Sequence, residues 1–271
     1  MSAPARRLDG AVAVVTGSST GNGRAIAVEL AAEGAKVVCS DVRRSVHPDG
    51  ADADPEPATD TDQLIRRSGG TAEFVAADVT DEDQVQALAD RAIAAFGRLD
   101  VWVNNAGIAP AGPIEQEAVA SFERAFAVNV TGTWLGCRAA AGAMRSQDRT
   151  GRSRGRIVNI GSIAAEMGQG CLSAYASSKG AVHALTRELA IELAPDYINV
   201  NALVPGYFTG TGMTRGFRTD AELAAAVQAK HPWPEMAPSR DLGRAVVFLA
   251  SDDAAWITGA ILPVDGGALA R

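Results

Sequence analysis

Short β-branched runs alternate along the chain with longer stretches rich in Ala, Leu and Glu. The runs lie at 11–16, 35–41, 72–78, 99–106, 155–161, 198–205 and 260–265. Each is a nearly continuous apolar segment, the pattern of a strand buried on both faces. Between them, helical spacing of apolar positions covers 22–33, 81–96, 117–146, 174–194 and 239–250. Strand–helix alternation of this length predicts an α/β fold with a parallel sheet of about seven strands and helices on both sides. No internal repeat or linker divides the chain, so residues 1–271 are expected to form a single domain.

Two segments break the rhythm. Residues 43–62 carry three prolines and six acids (Asp49, Asp52, Asp54, Glu56, Asp60 and Asp62), a composition that favours a solvated acidic loop inserted after the second strand. Residues 206–238 begin with glycines and threonines and end with three prolines. A long irregular stretch inside a compact domain is usually a lid or a binding loop, here a substrate-binding one.

Composition narrows the function. The 271 residues carry a formal net charge of −7, which argues against nucleic acid or an anionic membrane as the main partner. Cys39, Cys137 and Cys171 are far apart, show no metal-ligand spacing and read as reduced packing thiols, so no metal is expected. The apolar run after Arg6 and Arg7 is too short for a signal peptide, and nothing approaches a membrane span. A soluble cytoplasmic protein is expected.

The first strand runs into Thr16-Gly17-Ser18-Ser19-Thr20-Gly21-Asn22-Gly23, and a helical pattern follows at once. Glycines there allow a tight turn and close approach of backbone to a pyrophosphate, which the helix N-terminus then attracts. The second strand ends in Asp41, 18 residues after Gly23, where a carboxylate can accept hydrogen bonds from an adenosine ribose. The same carboxylate repels a 2′-phosphate, so NAD is expected over NADP, with Arg43 and Arg44 near enough to compete. Further on, Tyr175 and Lys179 are four residues apart and share a face if helical. An ammonium beside a phenol lowers the phenol's pKa and makes it a general acid or base for an alcohol or carbonyl oxygen. Ser162, at the end of the fifth strand, can donate a second hydrogen bond to that oxygen.

Taken in order, TGSSTGNG (16–23), Asp78-Val79, Asn104-Asn105-Ala106-Gly107, Asn129, Ser162, Tyr175 with Lys179, and Pro205-Gly206 resemble the short-chain dehydrogenase/reductase family. The likeness covers residues 8–267. It implies a doubly wound Rossmann fold and NAD(P)-dependent hydride transfer at an alcohol or ketone carbon of a small-molecule substrate. By resemblance, Tyr175 is the proton donor and acceptor, Lys179 lowers its pKa and holds the nicotinamide ribose, Ser162 orients the substrate oxygen and Asn129 positions a water leading to Lys179. Gly17, Ser19, Thr20, Gly21, Asn22 and Gly23 would surround the pyrophosphate, with Asp78 and Val79 at the adenine. Asn105, Ala106 and Gly107 would line the adenosine ribose, and Pro205, Gly206 and the Phe208 backbone would hold the carboxamide.

The chain departs from the family pattern at Asn22, usually aliphatic, and at Gly210, usually threonine, which leaves Thr209 and Thr211 as alternatives. The family is commonly a homotetramer, and Ala139, Ala140, Ala141 and Ala143 would allow close helix contact between copies. Ala164, Glu166, Met167, Gln169, Leu172, Tyr207, Met213, Phe217 and Trp233 are candidate substrate contacts. Three alternatives stay open: an NADPH-dependent ketone or 3-oxoacyl reductase, a non-catalytic NAD-binding regulator, and a dehydrogenase whose NAD stays bound and is re-oxidised by a separate carrier.

Overall fold

A computed structural model describes residues 6–44, 59–209 and 220–271. Seven parallel strands, β1 (Val12–Thr16), β2 (Lys36–Asp41), β3 (Thr71–Ala76), β4 (Val101–Asn104), β5 (Gly155–Ile160), β6 (Ile198–Pro205) and β7 (Ile261–Val264), form one sheet. Their order is β3-β2-β1-β4-β5-β6-β7, so the connection reverses direction between β1 and β4. That reversal opens a crevice at the carboxyl ends of the strands, where such sheets bind ligands.

Eight helices flank the sheet among the described residues: α1 (Gly21–Ala32), α2 (Thr61–Arg67), α3 (Glu82–Phe96), α4 (Val119–Phe126), α5 (Gly132–Arg145), α6 (Ser173–Leu193), α7 (Ala221–Gln228) and α8 (Ser239–Ala250). Successive residues of β1 point to opposite faces. Ala13 and Val15 join one core with Ile26, Leu30, Ile65, Leu242 and Val246, while Val12 and Val14 join the other with Leu88, Leu135, Ile157 and Leu193. Because both faces are covered, the strands are apolar throughout, and this made them legible. No helix among the described residues is long and apolar enough to cross a membrane.

The structure corrects four expectations. The 117–146 helix is interrupted: α4 ends at Phe126, a π-helical turn spans Ala127–Thr131, and α5 follows. The acidic loop is shorter than 43–62, because α2 starts at Thr61. Asp62 is buried there, bonded to Arg44 at 2.6 Å and Arg66 at 2.7 Å. Burial opposes its ionisation, yet the two guanidinium groups hold its carboxyl below the usual range. Residues 45–58 lie outside the described residues. The 206–238 segment contains α7, while 210–219, with Met213, Phe217 and Thr211, lie outside the described residues. Finally, Cys171 is exposed at φ 55, whereas Cys39 and Cys137 are packing thiols that burial pushes up to about 12.

The alanines expected between subunits, Ala139, Ala140, Ala141 and Ala143, are all buried in the chain's own core. What this side exposes is Val119, Phe122, Trp134 and Ile191, with Phe122 stacked on Phe126.

A buried polar chain ties the sheet to α6. Trp102 Nε1 donates to Asn104 Oδ1 at 2.7 Å, and Asn104 Nδ2 to Asn159 Oδ1 at 2.9 Å. Asn159 Nδ2 then donates to Thr186 Oγ1 at 3.0 Å. Gly136 of α5 makes room for it: a Cβ there would lie 2.0 Å from Asn104 Oδ1 and 2.6 Å from Trp102 Nε1. Gly136→Ala is therefore expected to cost about 1–3 kcal/mol by overpacking, a fall of several degrees in Tm. A melting curve superimposable on wild type would show that the chain of amides yields freely.

Candidate active site

The phosphate-binding candidate is the turn from β1 to α1. Gly17 and Gly21 have φ of 65° and 53°, and a Cβ on Gly23 would lie 2.1 Å from the Gly17 oxygen. Only glycine permits this approach of helix to turn. Asn105, just after β4, locks it: Nδ2 donates to the carbonyls of Thr16 at 2.9 Å and Gly17 at 3.0 Å. Thr16 Oγ1 accepts from the N–H groups of Asn105 and Ala106 and donates to the Val103 carbonyl. The Asn105 side chain is thus turned inward to the glycine turn. It is the main chain of Ala106 and Gly107 that lies at the crevice. Thr20 caps α1 without a side-chain hydrogen bond, and no acid sits in the first turn. The helix N-terminus therefore presents free N–H groups and its positive dipole end. Asn22 Oδ1 is buried there without a hydrogen-bond partner among the described residues.

At the end of β2, Asp41 is half-buried. Oδ2 accepts from Ser19 N at 3.2 Å and Oδ1 from Val42 N at 2.8 Å. Burial raises its pKa, against those backbone hydrogen bonds. The Ser19 hydroxyl donates to the Arg43 carbonyl at 2.6 Å. Arg44 is turned away, its guanidinium on Asp62 and, at 3.3 Å, on Asp60. Asp78 accepts from the Thr80 N–H and hydroxyl, which together with Arg124 at 3.5 Å keep its carboxyl low. Val79 is buried, in contact with the Gly132 position of α5, so its side chain belongs to the core.

The second group sits where β5, α6 and the π turn meet. Ser162 follows β5 and its hydroxyl accepts from Ala164 N at 3.1 Å. Tyr175 and Lys179 lie in the first two turns of α6 on one face, the ammonium 5.9 Å from the phenol ring centroid. Lys179 is buried and donates to the Ile160 carbonyl at 2.8 Å; burial lowers it from 10.5 to about 8. Tyr175 moves opposite to expectation. Burial raises its pKa, a hydrogen bond with Ser162 only partly offsets this, and Lys179 points to a carbonyl instead of the phenol.

Asn129, fully buried in the π turn, accepts from Ile108 N and donates to the Ile108 carbonyl and Ser178 Oγ, each at 2.9 Å. Its main-chain oxygen accepts from Thr133 Oγ1 at 2.7 Å, a bond suited to a helix whose register has slipped. A Cβ on Gly107 would lie 3.1 Å from Asn129 Oδ1 and 3.5 Å from Lys179 Nζ, so both polar groups converge on this glycine.

Beyond β6, Gly206 N bonds the Val264 carbonyl, Phe208 packs into the core, and Thr209 is tied to Ala237 and Ser239. A cavity of about 400 Å³ lies here, with Tyr207, Phe208, His231, Trp233 and Met236 in its wall. Of the other substrate candidates, Ala164 is buried and Glu166 is bound by His183 Nδ1 at 2.8 Å. Gln169 accepts from the Tyr207 hydroxyl at 3.0 Å. Sequence reasoning missed His183 and Lys230, which meets Gln169 at 3.2 Å. The only available signal was the position of His183, one helical turn beyond Lys179. No cluster of metal-ligating side chains is found among the described residues.

A family model described as enoyl-(acyl carrier protein) reductase matches residues 17–268. A crystal structure from Burkholderia xenovorans, described as a short-chain dehydrogenase/reductase, superposes with a TM-score of 0.84 at 36% identity, covering 98% of this chain and 99% of that one. The chain belongs to the short-chain dehydrogenase/reductase family. Cis-4-hydroxycyclohexanecarboxylate dehydrogenase of Sinomonas cyclohexanicum is 42% identical over 257 residues, 94% of this chain and 95% of that protein. A Beutenbergia cavernae structure described as an NAD(P)-dependent gluconate 5-dehydrogenase, with NADP at low occupancy, gives a TM-score of 0.85. It is 38% identical and covers 98% and 100% of the two chains. This short-chain dehydrogenase/reductase is an NAD(P)-dependent oxidoreductase of alcohol and ketone groups. Its residues fit such a cofactor, since the glycine cradle closes if any Cβ is added at Gly23 and α1 opens on uncapped N–H groups.

The Lys179 shift makes a stability prediction. Below about pH 8 the ammonium is charged in both states, and the folded chain carries the full desolvation penalty. Between about 8 and 10.5 the unfolded chain holds a proton the folded one lacks, so stability from this group rises with pH. Lys179→Met is expected to be more stable than wild type at pH 7, with a margin that shrinks across that window. Melting both proteins from pH 7 to 10.5 checks it, and a constant margin would refute the shift.

Proposed function

We propose that this enzyme interconverts a secondary alcohol and its ketone with NAD(H), using Tyr175 as the acid–base group beside Ser162, Lys179 and Asn129. The juxtaposition of the Tyr175 phenol with Ser162, on the helical face that carries Lys179, supports this reading most directly. When bound, the nicotinamide supplies hydride acceptance or donation. Gly17, Ser19, Thr20, Gly21, Asn22 and Gly23 would hold its pyrophosphate, and Asp41 the adenosine ribose. Asp78 and Val79 would border the adenine, with the main chain of Asn105, Ala106 and Gly107 beside the ribose. Pro205, Gly206 and the Phe208 main chain would meet the carboxamide.

Tyr175 Oη holds the proton that goes to the substrate oxygen on reduction and receives it on oxidation. Ser162 Oγ fixes the direction of that oxygen. Lys179, though lowered to about 8, remains mainly protonated at neutral pH and holds its charge 5.9 Å from the centre of the Tyr175 ring. Asn129 clamps the Ile108 main chain beside Gly107, which sets the floor on which Lys179 rests.

Two features support NAD over NADP. The Asp41 carboxylate would face the ribose, and Arg44, one of the two arginines that could answer a 2′-phosphate, is bound to Asp62 and Asp60. Like charges about 4 Å apart at an effective dielectric near 20 cost on the order of 4 kcal/mol. The exposed Phe122, Trp134 and Ile191 also favour assembly with further copies of the chain, for which a homotetramer is the proposal.

Tyr175→Phe is expected to lower turnover by about 10²–10⁴ while leaving NAD binding within about twofold, as read by steady-state kinetics and nucleotide titration. Turnover near wild type would remove the acid–base role. For the cofactor, wild-type kcat/KM with NAD should exceed that with NADP by at least about thirtyfold. Asp41→Ala should narrow the gap, and equal efficiency in wild type would refute the assignment.

A further inference from the structure

The wall of the substrate side carries a charge that the proton chemistry does not use. Gln169, in the segment between Ser162 and α6, accepts through Oε1 from the Tyr207 hydroxyl at 3.0 Å and from the Lys230 ammonium at 3.2 Å. Lys230 Nζ also stands 5.7 Å from the Tyr207 ring centroid. Three separate stretches of chain converge here: the loop after β5, the exit of β6 and the turn after α7.

Among the described residues, Lys230 meets no anion and the Gln169 Nε2 donor no acceptor. Lys230 is half-buried, and its partners among the described residues are neutral, an amide oxygen and a ring face. No ion pair joins Lys230 to an acid among the described residues, and Glu166 is engaged with His183, Asp265 with the N–H groups of Gly267 and Leu269, and Asp241 with Arg244. Glu235 is exposed, and no ion pair joins it to Lys230 among the described residues. Beside the ammonium, Gln169 Nε2 is buried with no hydrogen-bond partner among the described residues. A buried amide N–H without an acceptor and an ammonium without a counter-ion are both unfavourable, and a single acceptor-rich anion relieves both. The corner adjoins the reacting end along the chain, since Gln169 lies in the short segment between Ser162 and Tyr175, and Tyr207, bonded to it, follows β6 at the carboxyl end of the sheet.

We propose that Lys230 and the Gln169 carboxamide, framed by Tyr207, bind a carboxylate that the substrate carries at the end remote from its carbinol. One carboxylate oxygen meets the ammonium and the other the Gln169 Nε2 donor. Substrate is thereby oriented from both ends, with the carbinol at Ser162 and Tyr175 and the carboxylate at Lys230. This rests on the alcohol–ketone chemistry proposed above and adds the class of substrate to it.

The test compares secondary hydroxy acids, with two to five carbons between carbinol and carboxylate, against their carboxamides, which match them in size without the charge. In wild type the kcat/KM ratio of acid to amide should exceed about tenfold for the chain length that reaches from Tyr175 to Lys230. Lys230→Met should lower that ratio by about tenfold to hundredfold, mostly through KM, and Lys230→Arg should retain much of it. Binding is read separately by calorimetry with pentanoate and hexanoate, which cannot be oxidised; Lys230→Met should abolish it. A wild-type ratio near one, a Lys230→Met loss equal for acid and amide, or carboxylate binding that Lys230→Met leaves intact would each overturn the proposal. Failure of the alcohol–ketone reading looks different: no alcohol is oxidised with either nucleotide, while carboxylate binding and its loss in Lys230→Met persist.

Discussion

The architecture turns on one side-chain amide. Where β1 and β4 part, their chains leave in opposite directions, and the crevice between them would be lined with unpaired carbonyls. Asn105 fills that gap, donating to Thr16 and Gly17 from across the sheet reversal. The Gly17 oxygen also sits where any Cβ at Gly23 would fall. The turn therefore keeps its shape only if the amide and the glycine are both present. The uncapped start of α1 and the Asp41–Ser19 hydrogen bond are both placed by this same turn.

A second constraint is electrostatic. Lys179 is a buried ammonium that donates to the Ile160 carbonyl, and the fold tolerates it at a cost to its own proton affinity. Such a group persists where the surrounding structure is rigid enough to hold it. The amide chain from Trp102 through Asn104 and Asn159 to Thr186 supplies that rigidity, because it binds α6 to β4 and β5 on the helical face that carries Tyr175 and Lys179, two turns beyond the lysine. Stability and reactivity are coupled here through the same helix.

Much of this was legible in the sequence because two periodicities dominate it. Strands covered on both faces are apolar end to end, so β1, β5 and β6 announced themselves to within a residue. The glycine turn, Asp41 and the Tyr175–Lys179 spacing were readable because backbone geometry and helix pitch constrain them. What escaped notice depends on tertiary partners. Asp62 looked like one more acid in a solvated run until Arg44 and Arg66 closed on it. Lys230 carries no signal in the sequence, and only the fold brings Gln169 and Tyr207 to it. The direction of the Tyr175 shift was misjudged for the same reason, since spacing along a helix reports neighbours but not burial.

The π turn at Ala127–Thr131 has a consequence for how this stretch of sequence can evolve. A π turn is a helix holding one residue more than α register requires, and its wider turn absorbs that residue locally, so the helices on either side keep the mutual orientation of a continuous α-helix. Losing one residue there would restore ordinary α pitch and leave α4 facing as before against α5. What the deletion removes is the bulge that carries Asn129, and with it the bonds to Ile108 and Ser178. Lineages descended from this chain can shed the extra residue only together with the Asn129 clamp.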